Sequence, residues 1–205
     1  MASAATAKAA HLQPEDWIRA AFARLSSDGT ESVRVEILAR DLGVSKGSFY
    51  WHFRDRENLT QKMLARWEQE EIQGIEAAAG DQAAAARWAR FVERAANAQR
   101  ARSEVALRAW ARRDERVAKS LAAIEKKKAR YIADVLRDIG FTPASAESWS
   151  ELVLLVCLGW HDLATRNSEF QLASRTLGEF LSELVLAASA RAADASAHSS
   201  SGLRS

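Results

Sequence analysis

A short segment in the first third of the chain combines aromatic rings, hydrogen-bonding groups and positive charge on one helical face. Phe49 and Phe53 share the face that must pack inward. The opposite face and its flanks carry Lys46, Gly47, Ser48, Tyr50, Trp51, His52 and Arg54. A solvated helix gains nothing from exposed aromatic rings. This mixture suits the major groove of DNA, where apolar atoms meet the thymine methyl group and polar groups meet base edges or phosphates.

The elements that must position this face form a helix-turn-helix. An apolar face recurs at i, i+3, i+4 and i+7 in the preceding helix: Val35, Leu38, Ala39 and Leu42. Gly43 suits the left-handed position that ends such a helix. We predict that Ser45 begins the next helix and that its hydroxyl accepts a hydrogen bond from the N–H of Gly47 or Ser48. Helix, glycine-containing turn and helix together are typical of DNA-binding proteins.

Gly47 lies inside the second of these helices, where glycine costs about 1 kcal/mol relative to alanine. Close approach to a DNA backbone would justify that cost. The alternative is that Gly47 packs against a neighbouring side chain of the protein.

Residues 42–53, LGVSKGSFYWHF, and the following residues 54–59, RDRENL, closely resemble the DNA-binding domain of the TetR (tetracycline-repressor-like) family of bacterial repressors. The resemblance covers about the first third of the chain. Ile37 departs from the family pattern at a position that is often polar, and Arg34 stands where Thr or Ser often begins the helix. The resemblance implies an operator-binding homodimer with a small-molecule inducer site in its C-terminal domain.

From these residues and the resemblance we predict a DNA-binding set: Arg34, Ser45, Lys46, Gly47, Ser48, Tyr50, Trp51, His52 and Arg56. Tyr50, His52 and Arg56 are expected to hold phosphates. Lys46, Ser48 and Trp51 are expected to read base edges. Asp55 is a good N-cap for the next helix, so Arg56 falls in a first turn whose free backbone N–H groups favour phosphate.

The chain reads as all-α, with an N-terminal three-helix helix-turn-helix domain and a C-terminal helical bundle, about nine helices in total. The first helix begins near Pro14 and ends at Gly29, and its predicted core stripe is Ile18, Ala21, Phe22 and Leu25. The fourth helix runs to about Ile75, because Gly74 and residues 77–81 form a break. We predict a flexible tail over 1–12, the DNA-binding domain with its connecting helix over 13–75, a ligand-binding and dimerisation domain over 76–192, and a second tail over 193–205.

The last two helices carry a prediction of dimerisation. Residues 149–163 are apolar almost all the way round, and residues 177–188 show a second apolar stripe. Two such helices make half of a four-helix bundle that a twofold partner would complete. The alternative is a core within one chain. The predicted interface residues are Leu152, Val156, Leu177, Phe180, Leu181, Leu184 and Val185.

Aromatic residues of the C-terminal part suggest an apolar ligand pocket with few polar anchors. The predicted lining is Trp88, Phe91, Trp110, Trp160 and His161. The alternative is that these rings are ordinary core residues. A small inducer at this place is what the resemblance implies, and its identity is not encoded in any motif.

Composition excludes several other functions. The 205 residues are 48% hydrophobic and 27% charged, and a net charge of +2 does not by itself indicate nucleic acid. A single cysteine, Cys157, excludes an intramolecular disulfide and fits a reducing cytosol. The longest apolar run, residues 152–160, falls far short of the roughly 20 residues that span a bilayer, and no secretion signal is evident. A cytoplasmic protein is expected.

Enzymatic residues are not grouped in this sequence. The histidines are scattered, and neither a phosphate-binding glycine loop nor a metal-ligand spacing occurs. We therefore expect no enzyme, cofactor or metal site. The sequence predicts a dimeric repressor that a small apolar or aromatic inducer releases from its operator. The alternative is a helix-turn-helix activator or architectural DNA-binding protein without a small-molecule ligand.

Overall fold

A computed structural model of the chain describes residues 12–80, 83–166 and 177–183. These residues contain eight bounded α-helices and one further helical segment over 177–183, with no strand among them. The helices are α1 (Pro14–Asp28), α2 (Val35–Leu42), α3 (Lys46–Tyr50), α4 (Arg56–Ala79), α5 (Ala84–Ala95), α6 (Ala98–Ala111), α7 (Glu115–Ile139) and α8 (Pro143–Arg166). A 3₁₀ turn, Thr30–Ser32, joins α1 to α2. The predicted all-α architecture is confirmed. The predicted tails, apart from Leu12, lie outside the described residues.

The chain folds as two compact units. The first takes the described residues of 1–71 together with 102–121, and the second takes those of 72–101 and 122–205. Helices α4, α6 and α7 each contribute residues to both units. The functional boundary that we predicted after residue 75 stays a prediction, but residues 102–121, which we assigned to the C-terminal domain, belong to the compact unit of the helix-turn-helix.

Aromatic packing forms the core of the first unit. Phe49 and Phe53 are buried and stacked, with ring centroids 5.2 Å apart, so their predicted inward face is confirmed. Trp17 meets Phe49 edge-on at 5.3 Å and has no exposed surface. The predicted stripe of α1 missed Trp17 and included Phe22, which is only half-buried. Helix α1 therefore turns its tryptophan, rather than its phenylalanine, towards α3.

Local sequence signals set most of the helix ends in this unit. Pro14 is the first residue of α1, and Gly29 ends that helix with φ 76°. Gly43 has φ 69° and ψ 36°, the left-handed conformation predicted for it. The Asp55 carboxylate accepts the N–H of Asn58 at 2.7 Å, which confirms Asp55 as the N-cap of α4. Among these ends, Gly43 sets the turn between α2 and α3.

The predicted end of α4 near Ile75 is wrong, because the helix continues through Gly74 to Ala79. The guanidinium of Arg94, from α5, occupies the space where a side chain of residue 74 would stand. Gly74 is therefore a packing glycine rather than a helix break. Its backbone stays helical while its missing side chain makes room for a neighbour.

The second unit buries a continuous apolar core. Its members include Trp88, Val92, Tyr131, Ile132, Val135, Leu136, Phe141, Val153, Cys157, Leu177 and Leu181. The Tyr131 hydroxyl donates to the carbonyl oxygens of Ala78 at 3.2 Å and Arg87 at 3.0 Å, which joins the end of α4 to α5. Burial raises the pKa of Tyr131, so the phenol stays protonated and remains a donor.

Candidate nucleic-acid interface

Two aromatic side chains project from the end of α3. Tyr50 is 61% exposed and Trp51 is 87% exposed, as predicted. Helix α3 ends at Tyr50, and the N–H groups of His52 and Phe53 both donate to the carbonyl oxygen of Phe49 at 3.0 Å. The buried Phe49 and Phe53 thus hold the backbone from which Trp51 extends. A large aromatic ring exposed in this way indicates a binding surface.

Serine residues of this turn behave differently from the prediction. Ser48 is buried, so its placement on the exposed face is wrong. Helix α3 has only five residues and packs against α2, so its exposed face is narrower than a helical wheel suggests. Ser45 takes the N-cap position, but the N–H of Ser48 donates to its carbonyl oxygen at 3.1 Å rather than to its hydroxyl. The N–H of Ser48 is therefore paired by the backbone, without the Ser45 hydroxyl.

Gly47 is exposed, and the structure gives no internal reason for glycine at this position. A Cβ atom built on Gly47 would lie 3.5 Å from the Ser45 hydroxyl, an ordinary contact. The alternative that Gly47 packs closely against a neighbouring side chain is therefore wrong. Gly47 is the second residue of the five-residue α3, so the cost expected in a helix interior does not apply in full. Close approach of an external backbone is compatible with its exposure.

The cations around these rings are held by partners within the first unit. The Lys46 ammonium donates to the Glu36 carboxylate at 2.7 Å. The Arg34 guanidinium donates to the carbonyl oxygen of Glu31 at 2.9 Å. Arg54 pairs with Asp55 at 3.0 Å. The hydrogen bond from Lys46 lowers the pKa of Glu36, and the hydrogen bond from the Asn58 N–H is the main cause of the lowered pKa of Asp55. Both carboxylates are therefore ionised at neutral pH.

Arg56 has a structural role that the sequence reasoning missed. Its guanidinium donates to the carbonyl oxygens of Val33 at 2.7 Å and Thr30 at 2.9 Å. These bonds attach the segment before α2 to the first turn of α4. Arg56 lies in the first turn of α4, as predicted, and its guanidinium turns towards two carbonyl oxygens of the segment between α1 and α2. Its contact with phosphate stays a prediction.

The corner between α6 and α7 contacts the helix-turn-helix within the same unit. Arg116 forms an ion pair with Glu57 in the first turn of α4, and it also pairs with Asp114 at 2.9 Å. Arg113 lies 3.8 Å from Glu31, before α2. The Arg116 guanidinium is the main cause of the lowered pKa of Glu57. The contacts with Glu57 and Glu31 join residues more than fifty positions apart, so no local motif predicts them.

The predicted dimer residues divide into two groups. Leu152 and Phe180 are exposed and Val156 is half-buried, whereas Leu177 and Leu181 are buried in the core of the second unit. Leu177 and Leu181 therefore face their own chain, and assigning them to an interface is wrong. Leu184 and Val185 lie outside the described residues. Leu155 and Leu163, which we did not select, add exposed apolar surface to α8.

The predicted ligand residues are not gathered in one compact unit. Trp110 lies in the first unit, while Trp88, Phe91, Trp160 and His161 lie in the second. Trp88 and Phe91 form a ring pair with centroids 5.6 Å apart. Nε2 of His161 donates to the carbonyl oxygen of Ala95 at 2.8 Å, so this buried ring joins α8 to α5. Among these residues, the Trp88–Phe91 pair stays the best-defined aromatic group.

Comparisons with known proteins identify the N-terminal architecture. Residues 18–63 match the model of the bacterial regulatory proteins of the tetR family. No curated protein matches the chain. A solved transcriptional regulator from Rhodococcus sp. Rha1 is 18% identical, with a TM-score of 0.69 over 86% of this chain and 97% of that one. The matching family model and this solved structure are both those of transcriptional regulators.

Two further solved structures carry ligands. FadR from Bacillus subtilis, solved with stearoyl-CoA, is 16% identical, with a TM-score of 0.56 over 82% of this chain and 97% of that one. A Saccharomonospora viridis protein, described as a candidate transcriptional regulator and solved with choline, is 14% identical, with a TM-score of 0.69 over 82% of this chain and 95% of that one. At these identities the likeness shows the fold. In the part of the chain that the structure describes, every helix is too short or too polar to cross a bilayer.

Proposed function

We propose that this chain, whose helix-turn-helix belongs to the tetR family of bacterial regulatory proteins, is a cytoplasmic dimeric repressor released from its operator by a small apolar or aromatic inducer. The observation that carries the proposal is the display of Tyr50 and Trp51 at the end of α3, with Phe49 and Phe53 buried behind them. Exposed rings beside cations suit a nucleic-acid surface, because rings contact bases or sugars while cations meet phosphates.

In the proposed complex, the DNA-reading residues divide into those that read bases and those that contact phosphates. Trp51 and Lys46 read base edges in the major groove. Tyr50 and His52 contact phosphates from the two flanks of α3. Arg56 holds the segment before α2 against the first turn of α4, so it acts on DNA binding through the position of α2. Ser48 is given no contact with DNA, because its side chain is buried.

The dimer is supported by the exposed side of α8. Leu152, Leu155 and Leu163 lie on that side, and Phe180 is exposed in the segment that follows. The buried side of α8 carries Val153 and Cys157. Two copies that pair these exposed apolar surfaces form a twofold interface. The two recognition helices then read half-sites about 34–36 Å apart, one turn of DNA.

We propose that the inducer binds beside the Trp88–Phe91 pair of α5. Helix α5 is joined to the end of α4 by the Tyr131 hydroxyl, and the Arg90 guanidinium donates to the carbonyl oxygen of Ala77 at 3.2 Å. Displacement of α5 by a ligand would therefore displace the end of α4. Release from DNA requires that the inducer bind the displaced state more tightly than the DNA-bound state.

The first experiment is a fluorescence-anisotropy titration of the purified chain on a duplex from just upstream of its own gene. It is run at physiological salt against a scrambled competitor, because affinities depend steeply on salt. We expect competitor-resistant binding with two chains per duplex. Affinity equal to that for scrambled DNA, both here and for duplexes recovered by selection from a random pool, would contradict the proposal.

A further inference from the structure

We infer that Glu36 is a specificity-determining residue, and that Glu36 and Lys46 together read one G·C base pair in each half-site. The inference rests on the proposed function, because it assigns a base to the same DNA-reading surface. Glu36 was not among the DNA-binding residues predicted from the sequence.

The Glu36–Lys46 pair crosses the turn of the helix-turn-helix. Glu36 lies in the first turn of α2, and Lys46 is the first residue of α3. The carboxylate oxygen and the ammonium nitrogen are 2.7 Å apart, and the side chains remain 57% and 58% exposed. An ion pair this exposed contributes little to folding. Its removal is therefore expected to leave the fold intact, so that an effect on DNA binding can be measured.

The two groups match the edge of a G·C pair. Guanine O6 accepts and cytosine N4 donates in the major groove. These two base atoms are joined by a hydrogen bond, so they lie about 2.9 Å apart, close to the separation of the Lys46 and Glu36 atoms. An ammonium has three N–H groups, and a carboxylate accepts several hydrogen bonds. Lys46 can thus donate to guanine O6 while it stays bonded to Glu36, which accepts from cytosine N4.

The same pair opposes binding to the DNA backbone alone. A phosphate offers acceptors only, so it would compete with Glu36 for the Lys46 ammonium and be repelled by the carboxylate. The lowered pKa of Glu36 means that this charge is present at neutral pH. Sequence recognition often combines such a repulsive element with an attractive one. The pair therefore favours binding to the edge of a G·C pair and disfavours binding to a phosphate alone.

The test uses duplexes selected by the full-length wild-type protein from a random pool. The selected consensus is expected to contain one G·C pair per half-site, and each duplex carrying a substitution is then titrated. Glu36→Ala should lower discrimination at that G·C pair about tenfold and leave discrimination at other positions unchanged. Lys46→Met should relax the same position. Wild-type selection without any consensus would overturn the proposed function itself.

A second readout separates base reading from a structural effect. Without Glu36, Lys46 is available to neutralise a phosphate, so the salt slope on scrambled DNA should steepen by about 0.9. This corresponds to roughly 3.5-fold additional loss between 50 and 200 mM salt. Glu36→Gln, which keeps the side-chain length, should show the same change of slope, and it is measured as well in case the alanine variant folds poorly.

The matched control is Glu115→Ala. Glu115 pairs with Lys119 at 2.9 Å, and both side chains are strongly exposed, so the variant changes the same charge and removes the same kind of pair. It should leave discrimination and salt slope unchanged. The inference is overturned if a clear consensus is obtained and neither Glu36 variant alters it, or if Glu36→Ala and Glu115→Ala change binding equally.

Discussion

Two exposed surfaces of this chain are rich in apolar side chains, and they differ in what accompanies the apolar atoms. At the end of α3, Trp51 and Tyr50 carry an indole N–H and a phenol, and Lys46 stands nearby in the same short helix. Along α8, the exposed Leu152, Leu155 and Leu163 offer hydrocarbon alone. The first surface fits a partner with polar edges and negative charge. The second fits another apolar surface, such as a second copy of the chain.

The largest effect is expected from a charge placed in the second surface. Leu155 is 65% exposed, and Leu155→Glu would bring two like charges close together in a twofold interface. A cost of several kcal/mol corresponds to about a hundredfold or greater weakening of the dimer. Sedimentation equilibrium should show monomers, and operator affinity should fall with the dimer.

The control for this variant is Trp51→Glu, which changes the other surface in the same way. It should abolish operator binding and leave the dimer intact. If Leu155→Glu stays dimeric, the exposed leucines of α8 do not form the dimer interface, and they require another partner.

A smaller effect is expected from Trp51→Ala. Removal of the indole takes away a base contact, so discrimination between operator and scrambled DNA should fall by about tenfold. The dimer should be unchanged in sedimentation. Paired anisotropy titrations measure the ratio of the affinities for the two duplexes. An equal loss of affinity for both would mean that Trp51 contributes to non-specific DNA binding rather than to sequence recognition.

Arg56→Ala tests whether Arg56 has a structural role or contacts a phosphate directly. Loss of the two hydrogen bonds to Val33 and Thr30 should lower the free energy of unfolding by about 1 kcal/mol, measured by urea denaturation. Because Arg56 acts through the position of α2, the salt slope of DNA binding should stay constant. A slope reduced by about 0.9 would instead show a direct phosphate contact. Arg54→Ala, which removes only a surface pair with Asp55, should change stability by less than about 0.5 kcal/mol.

The smallest effect concerns acid stability in the first unit. The folded pKa of Glu57 lies below its unfolded value because of Arg116, so the unfolded chain binds more protons as the pH falls through that range. The ion pair therefore stabilises the fold above the unfolded pKa and loses this contribution as the pH falls through the folded value. Glu57→Gln should flatten the decline of stability below about pH 4.5 relative to the wild type. Parallel pH profiles of the variant and the wild type would contradict this role of the Arg116 pair.

Features encoded by neighbouring residues were predictable from the sequence. The left-handed Gly43, the N-cap Asp55 and the buried pair Phe49 and Phe53 all follow from local spacing. The exposure of Trp51 followed as well, because it lies across the helix from the buried rings. These are the features on which the resemblance to the family rests.

Features that depend on distant partners were not predictable. Arg56 finds its acceptors 23 and 26 residues earlier in the chain, and Lys46 finds Glu36 across the turn. Spacing within one helix carries no information about either contact. On the segment after α8, the apolar stripe did not tell which side faces inward, and it is Leu177 and Leu181 that are buried while Phe180 is exposed.

The contact between Gly74 and Arg94 constrains how this sequence can change during evolution. Any side chain at position 74 would meet the guanidinium of Arg94. Because that group is the far end of a flexible side chain, Arg94 can turn away, but it then loses the position that it holds beside α4. We therefore expect substitutions at the two positions to be non-additive, with a side chain at position 74 better tolerated once Arg94 has been shortened.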